Sequence, residues 1–202
     1  MLKVGDFAQA VQDLAEAGRF FHSRGWVPAT GGNFSTRLGP AEIAITASGR
    51  HKGELGAADV TRCDLSGRSL ISGVTVSYET PLHTTLYRRD AAIGAVLHVH
   101  SVPNTVLSLT RPQGVQLTGY ELLKVLPAIS SHDAAIIVPV FANDQDVPRL
   151  AQAVEVHLAA HADAAPAYLI AGHGLYTWAP NLRQCRWQVE ALEFMFECEL
   201  RR

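Results

Sequence analysis

The feature that most restricts the fold of this chain is the alternation of short, β-branched apolar runs with segments of helical composition. Such alternation is typical of a sheet covered by helices. Because no repeat and no low-complexity linker interrupts the pattern, we expect one α/β layer structure. The expected helices cover residues 7–21, 80–88, a stretch opening at 101, 148–161 and a long segment from 181, and the expected strands cover 34–38, 42–47, 95–100, 134–140 and 168–171.

Capping residues set the boundaries of these helices. Gly5-Asp6 is typical of a helix start and Gly25 of a helix end. Thr80-Pro81 reads as an N-cap followed by proline at the first helical position. Asn181, with Gln184 three residues later, forms a capping box for the closing helix.

Composition narrows the class of protein. With 202 residues, 48% of them hydrophobic, the chain can form a single domain over 1–202 with a sizeable core. The net charge of -2 and the scattered basic residues argue against nucleic acid or an anionic membrane as a partner. No apolar run approaches the roughly 18 to 20 residues that span a bilayer, and no secretory leader is visible, so we expect a cytoplasmic protein. The three cysteines, which lack metal-type spacing, are expected to be reduced and structural: Cys63, Cys185 and Cys198.

Histidines give the sharpest chemical signal. His98 and His100 lie two residues apart in a predicted strand, so both imidazoles point to the same face. His173 follows an apolar strand between two glycines, which allow a tight turn to present the ring. Three imidazoles with an open fourth position suit a catalytic zinc ion. The other six histidines are expected to be surface or core residues: His22, His51, His83, His132, His157 and His161.

Two glutamates could move protons beside such a metal, while zinc stabilises an enediolate. Glu79 lies in a hydroxyl-rich junction, and Glu121 follows Gly119-Tyr120 at the start of an apolar helix. Both could instead be ordinary carboxylates at helix starts. The residues alone leave this choice open.

A third group of residues resembles an anion cradle. It combines Gly31-Gly32-Asn33 with Thr46-Ala47-Ser48-Gly49 and Lys52. Glycine allows close backbone approach, hydroxyls and amides donate hydrogen bonds, and lysine adds a positive charge for a phosphate. Ordinary turns also use Gly-Asn and Ser-Gly pairs, so the signal is weak by itself.

Taken in order, the motifs Gly-Gly-Asn, Thr-Ala-Ser-Gly, Ser-x-Glu, His-Val-His and Gly-His-Gly resemble the class II aldolase family over nearly the whole chain. The resemblance implies a three-layer α/β/α fold with a central, mainly antiparallel sheet, assembled as a homotetramer with sites near subunit interfaces. It implies one zinc ion per subunit, held by His98, His100 and His173. It also implies that a phosphate binds near Gly32, Asn33, Ser48 and Gly49, helped by Ser77 and Lys52.

Within that family, the segments SYETPLHTTLYRRD, AVLHVHS and LTGYELLKVL are most similar to dehydratases that act on a phosphorylated ketose. For a dehydratase we favour Glu121 as the acid/base and Glu79 as a nearby partner that binds zinc or substrate hydroxyls, by a small margin. The alternatives are an aldolase or epimerase of the same family, and a non-catalytic scaffold like the adducin head. The roles of Tyr78, Tyr120 and Tyr176 are left open.

Overall fold

The computed structural model describes residues 6–202, and Gly5 of the expected first cap lies outside them. The chain builds a central seven-stranded sheet with helices on both faces and a separate two-stranded sheet. The helices are α1 (Phe7–Ser23), α2 (Thr80–Arg89), α3 (Val102–Thr110), α4 (Val147–Ala160) and α5 (Leu182–Arg201). The strands are β1 (Asn33–Gly39), β2 (Glu42–Thr46), β3 (Val60–Asp64), β4 (Ala95–Val99), β5 (Val115–Thr118), β6 (Ala135–Val138), β7 (Val140–Phe141), β8 (Ala167–Ile170) and β9 (Gly174–Ala179).

The central sheet is mainly antiparallel. Its strand order is β3-β2-β1-β4-β9-β8-β7, and only the edge pair β7 and β8 is parallel. β5 and β6 pair antiparallel in the small sheet. The most central strand, β4, is buried along its whole length, so any polar side chain on it needs a partner inside the protein.

Two hydrophobic clusters separate the two faces of the central sheet. On one face Leu97 and Val99 of β4 pack with residues of α1, α3 and α5. On the other face Val96 packs with residues of α2 and α4. Since side chains alternate along a strand, His98 lies on the α2/α4 face together with Val96. The expected three-layer α/β/α fold with a mainly antiparallel sheet is therefore confirmed.

Local sequence patterns predicted the positions of most helices and strands. The side chain of Asp6 accepts a hydrogen bond from the backbone N–H of Ala8, and α1 ends just before Gly25, which has a positive φ of 73°. The carboxamide of Asn181 accepts from the N–H of Gln184 at 2.9 Å and so caps α5 as expected. The expected strand over 134–140 is divided between β6 and β7, which pair in different sheets. Three strands were not expected: β3, β5 and β9.

The start of α2 differs from the expectation by one residue. Glu79, not Thr80, is at the N-cap position, and it makes no side-chain capping hydrogen bond. The hydroxyl of Thr80 instead donates to the carbonyl of Ser77 at 2.6 Å. The carboxylate of Glu79 instead accepts a hydrogen bond from Asn33 and lies beside His173.

Within residues 6–202, no helix combines the length and the apolar character needed to cross a membrane.

Gly18 of α1 packs closely against the backbone at Lys52. A Cβ at Gly18, in the middle of α1, would lie 2.0 Å from the carbonyl oxygen of Lys52. Alanine in place of glycine normally stabilises a helix by about 1 kcal/mol, but here the close contact dominates. We expect Gly18→Ala to lower the free energy of unfolding by about 1 to 3 kcal/mol, the usual cost of overpacking, as measured by urea denaturation.

Gly39→Ala is the matched control, because a Cβ at Gly39 meets no atom within 4 Å. It should leave the unfolding free energy within about 0.5 kcal/mol of the wild type. A Gly18→Ala protein as stable as the wild type would contradict the close packing of α1 on the Lys52 segment.

Candidate metal centre

The site is built on a row of side chains that crosses the middle of the sheet. Asn33 of β1 pairs with His98 of β4, His98 pairs with Tyr176 of β9, and Tyr176 pairs with Tyr168 of β8. Residues directly opposite each other in an antiparallel pair share a face. The row therefore places an amide, an imidazole and two phenols side by side beneath α2 and α4.

His98 is the fixed point of this row. Its side chain is fully buried, and its ring stacks on that of Tyr176 with centroids 3.9 Å apart and an interplanar angle of 12°. Its Nδ1 lies 2.9 Å from the backbone carbonyl oxygen of Leu175. Since a carbonyl oxygen only accepts, Nδ1 carries the proton and Nε2 presents a lone pair. Such a second contact is how proteins orient a histidine for a metal.

His100 and His173 bring two further imidazoles to Nε2 of His98. His100 follows directly after β4, and its Nε2 lies 2.7 Å from Nε2 of His98. His173 lies in the turn between β8 and β9. Each of the three rings has one nitrogen atom in a cluster in which all three nitrogens lie within 4.8 Å of one another.

Glycine makes this close approach possible. A Cβ at Gly174 would lie 2.3 Å from the carbonyl oxygen of Val99 and 2.9 Å from Cε1 of His98. A Cβ at Gly32, which has a φ of 75°, would lie 2.5 Å from the carbonyl oxygen of His98. The Gly-His-Gly and Gly-Gly-Asn motifs are therefore required for packing around His98, as well as for turning.

The donor set suits a divalent metal ion. Burial lowers the pKa of His98 well below its usual value, and burial, together with His173, lowers the pKa of His100 to about 4. Both rings are neutral at pH 7, which is the form that binds metal. Three clustered imidazole rings, one of them oriented by a backbone carbonyl through its other nitrogen, could bind a metal ion.

Glu79 completes this centre. Its Oε1 lies 2.8 Å from Nε2 of His173 and its Oε2 lies 3.7 Å from Nε2 of His98, while Oε2 also accepts a hydrogen bond from Nδ2 of Asn33. Burial alone would raise the pKa of Glu79, but His98, His173 and Asn33 more than offset it and hold that pKa below its usual range. The site thus contains an ionised carboxylate.

A cleft of about 290 Å³ opens beside the histidines. It collects most of the residues predicted from sequence to bind metal or phosphate: Gly32, Asn33, Ser48, Gly49, Lys52, Ser77, Glu79, His100 and His173. His98 is fully buried next to it.

Lys52 is almost fully buried and is held by the backbone. Its Nζ donates to the carbonyl oxygens of Thr30 at 2.8 Å and Arg50 at 2.6 Å. Burial lowers its pKa to about 8, against an opposing effect of Glu79. These two bonds tie the Gly31-Gly32 turn to the Ser48-Gly49 turn, and they leave one N–H of the ammonium group for another acceptor.

Glu121 does not line this cleft. It begins a short 3-10 helix, Glu121–Val125, where the start of an apolar helix was expected. Its side chain is 70% exposed and pairs with Nζ of Lys124 at 2.7 Å and Nδ1 of His132 at 3.4 Å. Of these two glutamates, Glu79 is therefore the one that lies beside the histidines in this chain.

Sequence reasoning missed several residues at the site. The segment before α4 contributes Asn143, Asp144 and Gln145 to the cleft, and no short motif marks it. His83, expected to be a surface or core residue, is indeed fully buried, but its Nε2 bonds to Oδ1 of Asn33. A signal for His83 existed, since it lies one helical turn after Glu79.

The tyrosines left open from the sequence have different environments. Tyr176 stacks on His98, and Tyr78 lines the cleft while its hydroxyl donates to the carbonyl of Gln145 at 2.5 Å. Tyr120 lies elsewhere and bonds to Oε1 of Glu199 at 2.8 Å.

Comparison with known proteins identifies the class. The chain belongs to the class II aldolase and adducin N-terminal domain family, which matches residues 12–200. It is 52% identical over 194 residues to methylthioribulose-1-phosphate dehydratase of Pseudomonas fluorescens (strain Pf0-1), covering 96% of this chain and 93% of the relative. It is 49% identical over 202 residues to the protein of the same name in Marinobacter nauticus, covering 99% and 97%. The resemblance drawn from motif order is thereby confirmed.

A solved structure supports the fold. The L-fuculose-1-phosphate aldolase of Thermus thermophilus superposes with a TM-score of 0.76 at 24% identity, covering 96% of this chain and 95% of the aldolase.

The histidine triad predicts a metal-binding defect. His98→Ala and His173→Ala should each reduce the divalent metal retained by the protein to less than about a tenth of the wild-type content, because only two of the three imidazoles remain. Metal content after dialysis measures this. His161→Ala is the control, since His161 stacks on His157 and takes no part in the triad. Wild-type metal content in both triad variants would rule out this centre.

Proposed function

We propose that the chain catalyses the zinc-dependent dehydration of 5-methylthioribulose 1-phosphate to 2,3-diketo-5-methylthiopentyl 1-phosphate, a step of methionine salvage. The observation that carries the proposal is the 52% identity over 96% of the chain to a protein named for this dehydration. The clustered histidines, the adjoining carboxylate and the polar cleft supply the groups that the reaction needs.

The reaction removes a proton from the third carbon of the substrate. The hydroxyl group on the fourth carbon is protonated and leaves as water. The resulting enol then tautomerises to the diketone. A zinc ion held by His98, His100 and His173 would supply Lewis acidity for the substrate carbonyl. The protein itself must accept the proton, donate one to the leaving hydroxyl and fix the phosphate.

The phosphate of the substrate is proposed to bind to Lys52, Ser48, Gly49 and Ser77. The two carbonyl bonds of Lys52 leave one N–H of its ammonium group for a phosphate oxygen. The two serines line the same cleft and can add hydroxyl donors. Gly32 and Asn33 line the same cleft.

Glu121 and Glu79 divide the proton chemistry in this proposal. Glu79 is bound by Asn33 and lies beside His173, so it suits a partner that holds the metal or a substrate hydroxyl. Glu121 is exposed and lies outside the cleft of its own chain. As the acid/base it would therefore act in the cleft of a neighbouring subunit, which agrees with the proposed homotetramer.

Turnover of the named substrate tests the function. Zinc-loaded protein should convert 5-methylthioribulose 1-phosphate to a product that has lost one water, as followed by mass spectrometry. Fuculose and ribulose phosphates are the controls. An apolar pocket distinguishes a methylthio tail from a plain sugar end by a binding free energy of only ~1 to 3 kcal/mol. Slower turnover of the two control phosphates is therefore compatible with the proposal, whereas faster turnover would contradict it.

The product also distinguishes the rival functions. Two fragments would identify an aldolase, and an unchanged mass with one inverted centre would identify an epimerase. Protein that binds no zinc and turns over none of these phosphates would be the scaffold module. Fully active protein without zinc would refute the proposed mechanism.

Hybrid oligomers test the place of Glu121. Glu121→Gln and His98→Ala should each lack activity, with zinc retained only in the first. Co-expressed, they should regain activity, because a cleft with intact histidines can receive Glu121 from the other subunit. Co-expression of His98→Ala with His173→Ala is the control, since both defects damage the same cleft. If Glu121→Gln and His98→Ala fail to complement, Glu121 does not act across an interface.

A further inference from the structure

A buried polar ladder connects α2 to β1 behind Glu79. Glu79 at the N-cap of α2 is followed at intervals of four residues by His83 and Tyr87 within the helix, so the three form one stripe. On β1, Asn33 and Ser35 lie two residues apart and share a face. The two sets of side chains interlock between the helix and the sheet.

The ladder consists of four hydrogen bonds in series. Asn33 binds Glu79 through Nδ2 and His83 through Oδ1. Nδ1 of His83 lies 2.7 Å from Oγ of Ser35, and that oxygen lies 2.9 Å from the hydroxyl of Tyr87. His83, Ser35 and Tyr87 are at most 1% exposed, so no bulk water can replace a missing partner.

The direction of these bonds follows from Glu79. An ionised carboxylate only accepts, so the amide group of Asn33 must turn its NH2 toward Glu79 and its oxygen toward His83. Nε2 of His83 must then carry the proton, and its Nδ1 must accept from the hydroxyl of Ser35. Only one tautomer of the neutral ring satisfies the whole series.

The imidazole of His83 therefore holds the Asn33 amide in the orientation that the Glu79 carboxylate requires. If the ring carried its proton on Nδ1, Nε2 would accept, and the amide would be drawn to present its oxygen to the carboxylate. A buried amide oxygen against a carboxylate is repulsive and leaves both groups without a donor. The ring is itself fixed by edge contact with Tyr176, with centroids 5.7 Å apart.

We propose that His83 is a positioning residue that acts through Asn33 to hold the carboxylate of Glu79 beside the histidine triad. It touches neither metal nor substrate. This inference rests on the proposed function in one respect, namely that Glu79 takes part in the reaction. It assigns a role to a histidine that sequence reasoning counted as a core or surface residue.

Two amide variants of similar polarity test the proposal. The side chain of Gln in His83→Gln can place an NH2 near the position of Nε2 and keep the bond to Asn33. The shorter side chain of Asn in His83→Asn reaches only the position of Nδ1 and loses that bond. We expect kcat to fall about tenfold to hundredfold in His83→Asn, with KM changed by less than about threefold. His83→Gln should recover most of that loss.

Thr84→Val is the control for damage to the helix. Thr84 is buried on α2, and its hydroxyl donates only within the helix, to the carbonyl of Pro81 at 3.3 Å. The Thr84→Val variant should have a lower melting temperature than the wild type but the same kcat. Zinc content should stay at the wild-type level in all three variants, which separates positioning of Glu79 from loss of the metal site.

The tautomer of His83 gives a readout that needs no substrate. In zinc-loaded wild-type protein with ¹⁵N-labelled histidine, NMR should show a neutral His83 ring with its proton on Nε2. A proton on Nδ1 would overturn the proposal, even if the variants fail to fold. Equal kcat in His83→Gln and His83→Asn would overturn it as well.

The proposed function and this inference can fail separately. If wild-type protein does not turn over methylthioribulose phosphate, the proposed function fails, while the tautomer still decides the direction of the ladder. If the wild type is active but the two amide variants behave alike, the function stands and His83 is only a core residue.

Discussion

A fully buried imidazole at the centre of a sheet is the constraint on which the rest of this structure depends. His98 occupies a position that would normally hold an aliphatic side chain, between Leu97 and Val99 on the most central strand. A buried polar group is tolerated only where its hydrogen bonds are met. The carbonyl of Leu175 meets one of them, and the second nitrogen is left for the centre formed with His100 and His173.

The surroundings of His98 follow from this requirement. Tyr176 covers one face of the ring, and the backbone at Gly32 and Gly174 approaches too closely for any side chain. Asn33 lies opposite His98 in the neighbouring strand and carries the polar contacts onward to α2. The floor of the site is thus part of the rigid sheet, while its rim comes from turns and helix starts. Rigid scaffolds with functional groups on their connecting segments are a common division of roles.

The sequence predicted what short spacing determines and missed what distant pairing determines. The two-residue step of His98 and His100, the caps at Asp6 and Asn181 and the glycines beside His173 are local, and they were read correctly. β9 was missed because it begins with a glycine, and its strand character comes from pairing with β4 and β8. Glu79 was expected to precede the helix cap, yet it holds the cap position while its carboxylate binds Asn33.

The convergence of His173 with the His-x-His pair could be expected only from motif order, because His173 lies 73 positions after His100 in the chain. His83 shows the opposite case. A lone histidine in a helix is usually an ordinary core or surface residue, and that general rule hid its spacing from Glu79 and Tyr87. Only the facing Asn33 and Ser35, which are distant in sequence, reveal that the stripe is part of the site.

The two opposite charges of the cleft, on Glu79 and Lys52, do not pair with each other, because backbone carbonyl oxygens bind the ammonium group of Lys52. Glu79 lies among imidazoles and an amide, whereas Lys52 is bound by two carbonyl oxygens and forms no ion pair with a carboxylate among residues 6–202. A buried cation held only by neutral dipoles keeps its charge available to an anion. In the proposed reaction, the carboxylate and the ammonium group would serve opposite parts of one small molecule. A single salt bridge between Glu79 and Lys52 would satisfy both groups and leave neither free for the proposed proton transfer and phosphate binding.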